Sequence, residues 1–290
     1  MPSDYVADAE TVQEMVRLLE QDMLLTRAVS GLLPPDVDPV VVHAVLDIGC
    51  GPGGWVLEVA KAFPHIHITG IDSSELMIEY ATNQALAVGK ANAHFQVMNF
   101  RRLDFPDASF DIVNARFVQW FIPADQQQRI ASEWFRVLRP GGTLRFIENE
   151  LPIITNSPAL ELSTTKFLTA LSLLGRTIAP GGRQSGNTLM LRPLLHSLGC
   201  QAIQETAQLI NFSFATPHYE AFTQNILHSM TTMVPVILAT KTMSKRAMMV
   251  LEEHTREEIR RADFLGLTFF VSSWGRKPAE TDPRVHLSNG

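Results

Sequence analysis

The chain is poor in the residues that mark several common protein classes. Only two of its 290 residues are cysteine, Cys50 and Cys200. They stand far apart with no metal-ligand or redox spacing, so a disulfide framework, a zinc site and a dithiol motif are not expected. Basic residues are outnumbered, 24 Lys and Arg against 30 Asp and Glu, for a net charge of -6. That balance disfavours a nucleic-acid partner, which calls for a basic stripe to displace phosphate counterions. Long apolar runs are missing as well. The longest near the carboxyl end, Met233 to Ala239, falls far short of the roughly 20 residues that cross a bilayer, so no membrane span is expected. The stretch MPSDYVADAETVQEM shows no basic region followed by an apolar one, so a secretory leader is not expected and a cytoplasmic location is the default.

What is present suits a folded α/β protein. Hydrophobic residues make up 46% and charged residues 19%, enough apolar surface to bury a core and too little charge for a disordered chain. Helical periodicity runs through 9–33, where Val12, Met15, Val16, Leu19, Met23 and Leu24 recur, until Gly31, Pro34 and Pro35 end it. From Val41 short apolar runs alternate with longer amphipathic ones, the pattern of βαβ units and a parallel sheet. The pattern predicts strands at 43–48, 66–71, 93–98, 110–115 and 142–149, and helices at 54–63, 74–88 and 125–138. Beyond Glu150 it predicts helices at 158–177 and 188–198, a strand at 201–212, a helical region at 217–262 and a last strand from Leu265. The region 217–262 carries five methionines, Met230, Met233, Met243, Met248 and Met249.

The segment VLDIGCGPGGW, Val45 to Trp55, runs from a strand through a glycine turn toward a helix. It has two readings. Gly49, Gly51 and Gly54 make the G-x-G-x-x-G spacing of dinucleotide folds, with Asp72 where a ribose-binding acid belongs. Alternatively, Asp47 precedes a G-x-G-x-G of Gly49, Gly51 and Gly53. A carboxylate at the strand end is costly to bury without a partner, and a cationic ligand explains it better than a pyrophosphate does.

Several ordered motifs follow at matching distances: TGIDSSELMIEYA, FPDASFDIVNARFVQWF and EWFRVLRPGGTLRFIE. Together with the loop they resemble the class I S-adenosylmethionine (SAM)-dependent methyltransferases over about residues 40–150. The resemblance implies a doubly wound, Rossmann-like, seven-stranded α/β sheet, mostly parallel with an antiparallel last strand. It divides the chain into an N-terminal helical extension (1–38), a SAM-binding core (39–150), a C-terminal part with helical insertions forming a substrate lid (151–276) and a tail (277–290). Asp47, Gly49, Gly51 and Gly53 would then hold the amino-acid end of SAM, Asp72 the ribose hydroxyls with Ser73 beside it, and Met77 the adenine. The adenine end departs from the family pattern: where many relatives have Asp-Ala, this chain has Asn99 and Phe100, with Asp104 as a rival acceptor. The product would be S-adenosylhomocysteine (SAH), and no metal site is implied.

Methyl transfer from a sulfonium needs alignment more than acid–base chemistry, so no obvious catalytic residue is required. Glu148 is the first candidate for a substrate-facing acid or base; Arg116, which could also border the cofactor, and His218 follow, with His228 behind them. The expected acceptor is a small, largely apolar molecule. The methionine-rich helices would form its lid, fill their own core, or make a homodimer interface, and the N-terminal helix with Met23 and Arg27 could close over SAM. Two other classes stay open: a SAM-binding protein without transfer, and an NAD-dependent oxidoreductase.

Overall fold

The computed structural model describes residues 18, 19, 21, 22, 24–26, 31–179 and 183–279. Met23 and Arg27 lie outside the described residues, as do most of the N-terminal helix and tail expectations. Leu18, Leu19, Gln21, Asp22, Leu24, Leu25 and Thr26 are helical, and Gly31 takes φ +64° where the helix was expected to stop.

The sheet is built from β1 (Ala44–Ile48), β2 (His67–Asp72), β3 (Ala93–Val97), β4 (Phe110–Arg116), β5 (Leu138–Asn149), β7 (Gln201–Asn211) and β8 (Gly266–Arg276), with a two-residue β6 (Ile154–Thr155). Their order is β3-β2-β1-β4-β5-β8, with β6 and β7 both pairing β8. The strands from β3 to β5 are parallel, and β8 runs antiparallel to β5, from Thr143 opposite Arg276 to Asn149 opposite Phe270. The expected mostly parallel sheet with an antiparallel last strand is therefore observed; β6 is an addition that periodicity could not signal in two residues. β5 starts at Leu138 rather than 142, because Leu138 already pairs with Phe110 before a register shift.

Helices α1 (Gly54–Ala62), α2 (Glu75–Ala87), α3 (Gln127–Val137), α4 (Pro158–Leu173), α5 (Asn187–Ser197), α6 (Tyr219–Ala239) and α7 (Lys245–Ile259) complete the described fold. Several start where the sequence supplies a cap: Ser74 Oγ accepts from Met77 N, Ser157 Oγ from Leu160 N with Pro158 at the first helical position, and Ser244 Oγ from Ala247 N. The central strands bury both faces and read as nearly continuous apolar runs. One core layer gathers Leu46, Val113, Trp134, Phe146 and Leu191, the other Val45, Trp55, Val59, Ile66 and Ile68.

Strand order reverses between β1 and β4, so a crevice opens beyond the carboxyl ends of these two strands. The Arg145 guanidinium, buried on β5, donates to the carbonyls of Gly31 and Leu32 and to Ser272 Oγ. It anchors the end of the N-terminal segment, at Gly31 and Leu32, to the sheet. No helix among the described residues is long and apolar enough to cross a membrane.

Candidate functional site

The turn after β1 depends on glycine. Gly49, Gly51 and Gly53 all take left-handed backbone angles, φ +66°, +52° and +81°, which L-residues with a Cβ adopt at a cost. A Cβ at Gly49 would also come within 2.8 Å of Val118 Cγ1. At the next position the surrounding structure decides the ligand. Asp22 Oδ2 accepts from Trp55 N at 2.8 Å, and a Cβ on Gly54 would run into that carboxylate. The N-terminus of α1, where a dinucleotide places its pyrophosphate, is thus already held by an anion. The literal G-x-G-x-x-G reading loses its binding site.

Asp22 also reaches Arg116, whose Nη2 donates to Asp22 Oδ1 at 2.8 Å. The Arg116 guanidinium stacks on Trp55, 5.3 Å from the ring centroid. Burial opposes its charge, but Asp22 and Asp47 outweigh burial and hold the guanidinium above its ordinary value. Beneath the loop Asp47 is 1% exposed, and its Oδ1 accepts from Asn114 Nδ2 at 2.8 Å. Burial pushes the Asp47 carboxyl up to about 7, against the pull of Arg116 and Asn114. Three polar atoms here have no partner among the described residues, Asp47 Oδ2, Asn114 Oδ1 and Arg116 Nε. The first two are acceptors and the third a donor on a cation: complements of an ammonium and a carboxylate.

Asp72 ends β2 and ties the two loops together, its Oδ2 accepting from Gly51 N and its Oδ1 from Ser74 N, each at 3.0 Å. Asp72 and Ser73 border a cavity of about 290 Å³ that also meets Gly49, Gly51, Phe100 and Arg116. This volume is at the lower end of the range for small-ligand pockets, about 300–1,000 Å³. The cavity continues without a break into an apolar chamber walled by Phe117, Phe167, Phe212, Phe222, Phe270 and Met230. Phe117 holds φ +59° at the end of β4 and meets Phe270 edge-on at 5.9 Å. Asn149 from β5 and Asn225 from α6 bring polar groups into this chamber, and Asn225 Nδ2 has no partner among the described residues.

The structure brings Gly49, Gly51, Asp72, Ser73, Phe100 and Arg116 onto one cavity, while Asp47 and Gly53 stand behind that wall. Other expected residues lie elsewhere. Glu148 does not face the cavity: it is fully buried, and its Oε1 accepts from Gln119 N at 3.0 Å. Burial pushes its carboxyl up to about 8, against backbone donation from Gln119 and Val118. Side chains alternate along a strand, so its neighbour Asn149 is the one that reaches the chamber. Glu148 instead holds the segment after β4 that carries Phe117 and Trp120. His218 precedes α6 and packs edge-on against Phe222, off the cavity, and His228 is exposed on α6. Met77 is core, 1% exposed, and Asn99 is exposed with its Oδ1 accepting from Arg101 N, so neither borders the cavity. Asp104 is likewise exposed. Sequence reasoning missed Asp22, Asn149 and Asn225; the first sits in a segment whose only sequence signal was its apolar periodicity.

A glycine loop, strand-end acids and a cavity at the switch point of a doubly wound sheet define an α/β domain built for a nucleoside-bearing ligand. Residues 45–142 match a family model described as "Methyltransferase domain", and this segment belongs to the class I SAM-dependent methyltransferases. The chain is 43% identical over 105 residues to the sterol 24-C-methyltransferase ERG6A of Gibberella zeae, covering 36% of this chain and 27% of that protein. It is 35% identical over 111 residues to a demethylmenaquinone methyltransferase of Listeria monocytogenes, covering 38% and 46%. The chain thus spans less than half the length of these curated relatives. Among solved structures, a phosphoethanolamine N-methyltransferase 2 of Haemonchus contortus in complex with phosphomonomethylethanolamine and SAH shares the fold. Its TM-score is 0.50 at 19% identity, covering 89% of this chain and 52% of that one.

Proposed function

We propose that the protein transfers a methyl group from SAM to an O, N or C atom of a small, largely apolar molecule. The observation that carries this reading is the single cavity joining Asp72 and the glycine loop to an apolar chamber. One end suits a nucleoside, the other an apolar acceptor. Arg116 would take the carboxylate of the amino-acid end, with Asp47 favouring its ammonium from behind the glycine loop, Asp72 the ribose hydroxyls, and Ser73 and Phe100 the surroundings of the base. When bound, SAM supplies a methyl carbon that the acceptor's lone pair attacks as the C–S electron pair returns to sulfur.

The chain's own residues exclude water and align the acceptor. Phe117, Phe270 and Trp120 line the cavity, and Asn149 and Asn225 offer hydrogen bonds that orient a polar group within it. Positioning of this kind is worth up to roughly 7–11 kcal/mol in intramolecular models. No base is needed where the acceptor atom arrives unprotonated. No three His, Cys, Asp or Glu side chains converge as a metal site among the described residues.

Calorimetric titration with SAM, SAH and NADH, on the native chain and on Asp72→Ala, tests the reading. The expected result is binding of SAM and SAH near the micromolar range, about 8 kcal/mol, with NADH silent. Charge-assisted bonds are worth about 1.5–3 kcal/mol each, so Asp72→Ala should weaken SAH binding by one to two orders of magnitude or more. Binding of NADH without SAM or SAH would overturn the assignment.

A further inference from the structure

A second cavity of about 90 Å³ lies between α4, α6 and α7. On this measure one water needs about 10–15 Å³, so the space holds several carbon atoms in a row. Ser163, Met230 and Met233 border both this cavity and the main chamber. The partition between them is therefore one small side chain and two unbranched thioethers. Elsewhere the chamber wall is largely aromatic, with Phe117, Phe167, Phe212, Phe222 and Phe270 holding fixed ring planes. Methionine has three rotatable side-chain bonds and repacks around varied apolar shapes, so the deformable part of the wall coincides with the second cavity. Behind it Val234, Ile237, Met243, Met248 and Leu251 continue the apolar lining, and exposed Met249 and Lys245 bring the cavity to the surface.

We propose that this second cavity is the distal subsite for an elongated acceptor, holding its apolar tail once Met230 and Met233 rotate aside, while the reacting end stays in the main chamber. The proposal rests on the chamber holding the acceptor, as put forward above. It makes Met230 and Met233 specificity-determining residues that set how long an apolar chain the site accepts.

Straight-chain 1-alkanols of six to fourteen carbons are a neutral probe of both spaces. Their binding is measured by calorimetry with and without saturating SAH, on the native chain and on Met248→Trp and Val234→Phe, which fill the second cavity from two different helices. Each methylene buried should raise affinity about fourfold. In the native chain the rise should continue at least two carbons beyond the length at which both variants level off, leaving the longest alkanols bound tenfold or more tighter. The shortest alkanols and SAH should bind the three proteins equally. Levelling off at one common length would overturn the subsite. Thermal melting identifies a variant that fails to fold, and the other then decides. Failure of SAH to bind even the native chain would refute the proposed function instead, with the alkanol series taken without SAH still judging the subsite.

Discussion

Binding of the cofactor product should be coupled to ionisation of Asp47. Burial pushes this carboxyl up to about 7, so at pH 7 about half of the free protein carries a proton there and at pH 6 about ten in eleven molecules do. An ammonium held over the loop favours the carboxylate form of Asp47 beneath it. The apparent affinity for SAH should therefore rise by up to about fivefold from pH 6 to pH 7, close to 1 kcal/mol, and binding at pH 7 should release up to about half a proton. Measurements are kept at or below pH 7 because an α-amino group itself titrates near 7.7–8.0. Calorimetry in two buffers of different ionisation enthalpy reads both quantities, and Asp47→Asn should bind SAH more weakly with no slope over this range. A flat affinity in the native chain with no proton release would refute the role given to Asp47. Without ligand the same group acts on stability with the opposite preference. Its folded value stands above the ordinary 3.8, so the stabilisation is complete below that value and is lost as pH rises through about 7.

Three further substitutions separate site from scaffold. Glu148→Gln keeps the acceptor for Gln119 N and removes a group pushed up to about 8. Its stabilising effect in the native chain is present below the ordinary 4.5 and is lost progressively as pH rises from there through about 8, so the variant should match the native melting temperature only near pH 4 and already exceed it at pH 7. Its kcat should change by no more than a few-fold, whereas a loss of about 10² or more would restore a general acid–base role. Gly49→Ala places a Cβ at φ +66° and 2.8 Å from Val118; it should cost about 1–2 kcal/mol in urea unfolding for the backbone alone and abolish measurable SAH binding. Glu150→Ala removes the acceptor of Gly186 N, Thr188 N, Thr188 Oγ1 and Ser185 Oγ at the start of α5. It should cost about 2–4 kcal/mol of stability and leave SAH affinity unchanged, since Glu150 does not border the cavity.

The central strands were legible because burial on both faces leaves short apolar runs between glycine and proline punctuation, and the helix starts at Glu75, Pro158 and Lys245 follow serines that cap them. Which face a strand residue takes was not legible at the end of β5. In Phe146-Ile147-Glu148-Asn149-Glu150 the Glu148 carboxylate drew attention, yet it and Glu150 flank the one side chain of this run that enters the chamber. A shift of one position reverses every assignment on a strand, and only the pairing of Asn149 with Phe270 fixes it. Asp22 was hidden for a different reason. Its partners Trp55 and Arg116 are distant in sequence, and a helical acid on an amphipathic segment gives no local sign of an N-terminus it will cap elsewhere.

The two halves of the cavity differ in how far apart their residues lie along the chain. Apart from side chains of the N-terminal helical segment such as Gln21 and Asp22, the polar end is lined by the glycine turn, Asp72, Phe100 and Arg116, all inside the 45–142 segment that matches the family model. The apolar end draws Asn149, Phe167, Phe212, Asn225, Met230 and Phe270 from elements outside it. Sequence similarity confined to the first half therefore bears on the nucleoside-binding parts and says little about the acceptor, because few of the shared side chains touch it. On the proposed function, acceptor choice would belong to the second half, and variants at Asn149, Asn225 and Met233 should change which molecule is methylated while leaving SAH affinity in place.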